Sequence, residues 1–117
     1  MPVLFRAIDA RDGTEVTCDK RNWERHIAFE HPEMAGQMEA VRRTIEEPMS
    51  IYQIPAHLQR QAFFRPSDLP PHFNHGFIRV IVEYNIGRIS RRKEGSVVTA
   101  FHTLSGPKRG EVMIWPT

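Results

Sequence analysis

Six histidines, thirteen arginines and one cysteine are the residues of this 117-residue chain with most chemistry to offer. Histidine titrates near neutral pH and serves as acid or base. Arginine grips phosphate with a rigid fork, where an ammonium is only a point charge. Metal-free RNA cleavage needs a base for the 2′-hydroxyl, an acid for the leaving 5′-oxygen and a cation for the phosphorane. His26 stands four residues before Glu30, so on a helix that carboxylate reaches the imidazole and fixes its tautomer. The plain alternative is a half-buried histidine covering a sheet edge. His31 precedes Pro32 and reads first as a helix-end residue near the last carbonyls, with acid–base work second.

The arginines divide in the same way. Arg65 ends a short strand (RQAFFR) and opens a proline-rich loop, a position that commonly carries function. Its alternative is a solvated side chain lying over Phe63. Arg60 falls on the opposite face from Arg65 if that strand is regular. Arg79 sits inside the most apolar strand on the face shared with Glu83, Phe77 and Ile81, so it is either ion-paired or turned toward a phosphate. Arg88, Arg91, Arg92 and Lys93 form a basic loop that either blunts a turn or makes salt-sensitive backbone contacts with nucleic acid. Thr99 is expected on one strand face with Val97 and Phe101, where threonine is also simply a good strand former. Asp68, His72 and His75 crowd one loop without a ligand geometry, so no metal is assigned and no cofactor is implied.

Several classes are excluded. There is no phosphate-binding G-x-x-x-x-G-K, no G-x-G-x-x-G, no H-E-x-x-H and no G-x-S-x-G. Cys18 stands alone, so neither a disulfide framework nor a cysteine zinc site is available. No apolar run approaches a membrane span and no secretory signal is visible, so a cytoplasmic, reducing setting is expected. The net charge of +2 conceals an asymmetry: residues 1–58 carry −3 and residues 59–117 carry +5. That asymmetry, with arginine far outnumbering lysine, suits a polyanionic partner. Arginine bias in the genome explains the second feature without function.

The elements that must position these residues follow from periodicity. Val3–Ile8, the Asp12-Gly13 turn and Thr14–Cys18 read as a hairpin. Asp19 or Asn22 caps a helix that Pro32 stops, with Trp23 and Ile27 on one face. Met34, Met38, Val41 and Ile45 mark a second helix, about residues 33–47, ended by Pro48. Strands follow near residues 49–54, 60–65, 77–84, 96–102 and 112–115, the third central and packed on both faces. The expected fold is one α+β domain over 1–117: an N-terminal hairpin (1–19) and two helices (20–47) packed on an antiparallel sheet of about four strands (49–115).

Several segments now read together: Trp23-x-x-His26-Ile27, His31-Pro32-Glu33, Thr44-Ile45 before Pro48, Phe63-Phe64-Arg65, the apolar strand through Tyr84, and Val98-Thr99-Ala100-Phe101. Over roughly residues 20–115 their order resembles the phage and mobile-element nuclease-like domains of the barnase/EndoU/colicin/RelE-like (BECR) group. The resemblance implies a metal-independent ribonuclease fold, used as a toxin or phage effector. It implies a site of His26, Arg65 and Thr99, with His31 as second histidine. RNA, tRNA among it, is the implied substrate, and a cognate inhibitor an implied partner. The other reading keeps the fold without turnover: a phage-encoded inhibitor, or a protein that binds RNA or a host nucleoprotein. Arg79, Arg88, Arg91, Arg92 and Lys93 complete the candidate contacts.

Overall fold

A computed structural model describes residues 2–67 and 76–116. Among these residues seven strands form one sheet: β1 Val3–Ile8, β2 Glu15–Asp19, β3 Ser50–Gln53, β4 Arg60–Pro66, β5 Phe77–Ile86, β6 Lys93–Thr103 and β7 Val112–Trp115. Their order across the sheet is β1-β2-β6-β5-β4-β3-β7. The α+β class is as expected. The sheet is larger than the expected four strands and mixed, because the N-terminal hairpin joins it through a short parallel pairing of β2 with β6. That join needs Gly95: a Cβ there would meet Val16 at 2.9 Å and the Tyr84 ring at 3.0 Å.

Residues 20–30 form the first helical segment. Asp19 caps it, its Oδ1 accepting from the Arg21 N–H at 2.7 Å. Its middle, Trp23–Ile27, is a π-turn. That wider turn stacks Trp23 above Ile27, and both are buried. A 3₁₀ turn follows over Pro32–Met34. The second helix is Met38–Glu46, shorter at its start than the apolar spacing predicts. Ala35-Gly36-Gln37 interrupts the pattern, and Gly36 takes a φ of 76° that glycine adopts at little cost. Met34, Val41 and Ile45 are still fully buried, so the stripe marks the core even across the break.

Both helical segments cover one face of the sheet. The core there joins Trp23, Ile27, Val41 and Ile45 to Phe63, Ile78, Val80 and Val82. A smaller cluster of Ala62, Phe64 and Ile81 lies on the other face. β5 is apolar on both sides, as its sequence predicts. The first helical segment also shields a backbone edge. β2 covers β6 only at Gly95 and Ser96. Beyond them, Asn22 Nδ2 donates to the Val97 and Val98 carbonyls at 2.9 and 3.2 Å. Further along, the Glu33 carboxylate accepts from the His102 N–H at 3.2 Å.

One register feature overturns an expectation. Ile81 pairs with Thr99 and Val82 with Val97, leaving Val98 as a bulge. Val97 therefore joins the helix-side core, while Thr99 faces the other side. The expected shared face of Val97 and Thr99 requires a regular strand, and the bulge removes it. The strand is also longer than read, so the basic turn shrinks to residues 87–92.

Candidate functional site

The candidates separate into four neighbourhoods. At the flank of β6, the His31 imidazole stacks on the Phe101 ring, with centroids 4.9 Å apart and planes 28° from parallel. Phe101 pairs with Arg79, and Thr99 with Ile81, so Phe101 and Thr99 share the face away from the helices. Two residues along a strand span about 7 Å. His31 thus lies one side-chain step from the Thr99 row. His26 is on the preceding turn, 64% exposed, with Nδ1 3.6 Å from the Glu30 carboxylate. The carboxylate–imidazole pairing expected from their spacing is present, and it is solvent-exposed.

Arg65 is elsewhere. It pairs in register with Ile78, a helix-side core residue. Its Nη1 donates to the Glu47 carbonyl at 2.7 Å, beyond the end of the second helix. The sheet therefore stands between Arg65 and Thr99, and the structure does not gather His26, Arg65 and Thr99 into one constellation. Arg60 lies on the face opposite Arg65, paired with Glu83 at 2.9 Å. That hydrogen bond holds the Glu83 carboxyl below the ordinary range.

Arg79 is buried on the non-helical face. Its two terminal nitrogens donate to Glu111 at 2.8 and 2.6 Å, and its guanidinium lies 5.2 Å over the Phe64 ring. The fork lowers the Glu111 carboxyl. This bidentate pair pins the segment before β7 across the sheet, so Arg79 takes the ion-paired alternative.

At the β5–β6 turn, Arg88, Arg91 and Arg92 are exposed. None of their side chains has a partner among the described residues, whereas Arg6, Arg11, Arg42, Arg60 and Arg79 are all spent on carboxylates. Lys93 differs from its three neighbours. Its ammonium pairs with Asp12 at 2.9 Å and lies 4.6 Å from the centre of the Tyr84 ring.

A fifth neighbourhood lay outside the sequence reading. Asp9 is fully buried. Its Oδ1 accepts from Arg11 Nε at 3.0 Å, and its Oδ2 accepts from Arg11 Nη2 at 2.7 Å and the Tyr84 hydroxyl at 2.6 Å. Arg11 Nη2 also donates to Gln61 at 2.6 Å. Burial alone would raise the Asp9 carboxyl, but Arg11 and Tyr84 outweigh it and hold it below the usual value. Burial and Asp9 together raise the Tyr84 phenol. Burial also opposes ionisation of Asp12, yet Thr14 and Lys93 bring it down to about 2. Beside this network a cavity of about 430 Å³ opens among Leu58, Gln59, Gln61, Tyr84, Ile86 and Lys93. The Asp9-x-Arg11 step before a turn was the available signal, since such short spacing lets a carboxylate take both side-chain and backbone donors.

Cys18 is buried, and burial pushes its thiol up to about 12. Among the described residues no three His, Cys, Asp or Glu gather to hold a metal ion, and no helix is long and apolar enough to cross a membrane. Asp68, His72 and His75 lie outside the described residues. No known protein family, curated protein or solved structure matches the chain.

Proposed function

We propose that the chain cleaves RNA phosphodiesters by metal-independent acid–base chemistry at the flank of β6. The observation that carries this reading is the His31 imidazole stacked on Phe101, on the face that also bears Thr99. The stack holds the plane of the imidazole against the Phe101 ring. His31 and the Glu30-paired His26 then supply the acid and the base. The Thr99 hydroxyl positions the phosphate. Arg65 and Arg79 are held by protein acceptors, so the cation falls to Arg25, exposed beside His26 and unpartnered among the described residues.

The test is labelled tRNA and total RNA incubated in EDTA. Wild type should leave fragments ending in 2′,3′-cyclic phosphate. His31→Ala should slow cleavage about 100-fold or more, the usual size of a lost acid or base, and Thr99→Val should slow it less. Cleavage that persists unchanged in both variants removes the site. Intact RNA with folded protein favours the second reading, a non-catalytic RNA-binding or inhibitor protein, which the engagement of Arg65 and Arg79 supports.

A further inference from the structure

The cavity beside the Asp9–Arg11–Tyr84 network has an unusual rim. Two aliphatic side chains stand on it almost fully in water: Leu58 at 81% and Ile86 at 66% exposure. Ile86 ends β5 just before the turn that carries Arg88, Arg91 and Arg92, and Ile89 within that turn is 97% exposed. Scattered single apolar side chains are ordinary on a protein surface. Here two of them flank one concavity of about 430 Å³, within the size range of ligand pockets. The cavity floor is built: Gln61 is held by Arg11 at 2.6 Å, and Tyr84 is anchored through its hydroxyl on Asp9.

We propose that this groove docks an acidic segment of a partner protein, one apolar side chain entering the cavity between Leu58 and Ile86. Charge argues for the acid. Three arginines with no side-chain partner among the described residues sit on the turn that follows Ile86, and Lys93 lines the cavity itself; Arg92 also borders the neighbouring concavity with Asp12, Glu15 and Glu94, so Arg88 and Arg91 leave the larger share of unopposed charge. The cavity wall argues for protein over RNA. Single-stranded RNA is held largely by exposed aromatic faces on which bases stack. The aromatic residue at this cavity is Tyr84, which is buried and has Lys93 over its ring. Two exposed aliphatic side chains on a rim of glutamine, asparagine and Lys93, with a basic turn next along the chain, suit a protein interface, where an anchor fills a pocket and charges nearby steer the approach. The inference stands independently of RNA cleavage. If both hold, the docked segment covers arginines that RNA would otherwise meet.

A random peptide library displayed on phage, selected on the wild-type protein and counter-selected on the Leu58→Asp/Ile86→Asp variant, tests it. Both substituted side chains are exposed, so the fold survives, which circular dichroism verifies. Selected peptides should combine several Asp or Glu with one Leu, Ile, Phe or Trp. Their affinity should drop about tenfold in Leu58→Asp and again in Arg88→Glu/Arg92→Glu, as for loss of an interface anchor. No enrichment over the counter-selecting variant, or enrichment without acidic residues, overturns the proposal. Single-stranded RNA binding there with equal affinity in Leu58→Asp, with no peptide enriched, overturns it in favour of a nucleic-acid surface.

Discussion

Arg79 shows how one residue type serves opposite ends. On the sequence it was a charge in an apolar strand, needing either a carboxylate or a phosphate. The carboxylate is Glu111, and both side chains are about 95% buried. Removing one member of such a pair leaves a buried charge without its counterion, at a cost of about 3–5 kcal/mol. Glu111→Gln should therefore lower the unfolding free energy from urea titration by an amount in that range, with a corresponding fall in midpoint. Arg79→Met/Glu111→Leu should regain most of it, because removing both charges also removes their desolvation. A midpoint unmoved by Glu111→Gln would mean the pair is water-exposed in solution. The candidate site is legible at this scale only in part. The spacing of His26 and Glu30 foretold their pairing. The stack of His31 on Phe101 joins residues seventy positions apart, which no local spacing encodes.

Among elements, the decisive one is the first helical segment. It closes the part of β6 that β2 leaves open, and an unpaired strand edge invites pairing with other chains. Asn22 does this through two hydrogen bonds to the bulge carbonyls. Asn22→Ala should cost about 1–2 kcal/mol, the usual penalty for leaving buried acceptors unmet. Hydrogen exchange should quicken selectively in residues 97–102 of β6, where the edge reopens. Uniform quickening would show that Asn22 acts on global stability alone. The strands of this sheet were legible from their apolar runs. The bulge at Val98 was not, because inserting one residue leaves alternation in a β-branched run intact while turning Thr99 to the other face.

For the whole molecule, pH stability follows from the carboxylates. Asp9, Asp12, Glu83 and Glu111 all bind protons more weakly in the folded chain than ordinary carboxylates do. Their ionised contacts therefore stabilise the fold fully above about pH 4–5, the unfolded carboxylate range. That stability is lost as pH falls through the folded values, at about 2 for Asp12. Melting temperature should be level near neutrality and drop between about pH 4 and 2, with a shallower drop in Asp12→Asn. A drop already complete by pH 5 would assign acid sensitivity to the histidines instead. On the alkaline side, Cys18 and Tyr84 are held neutral by burial, so stability declines once the unfolded chain ionises these groups.

The same scale separates what each level of information decides. Period and punctuation alone determined the α+β class, the burial of Met34, Val41 and Ile45, the central place of β5 and the placement of Phe63 and Phe64 on opposite faces. These rest on local backbone geometry, which a run of residues carries within itself. Only the tertiary structure decided that the N-terminal hairpin joins the main sheet, that Arg65 and Thr99 lie on opposite sides of it, and that Asp9, Arg11, Gln61 and Tyr84 form one buried network. Each of those depends on strand register or on a partner far along the chain. A one-residue slip changes every such contact and leaves the local pattern of hydrophobicity almost untouched.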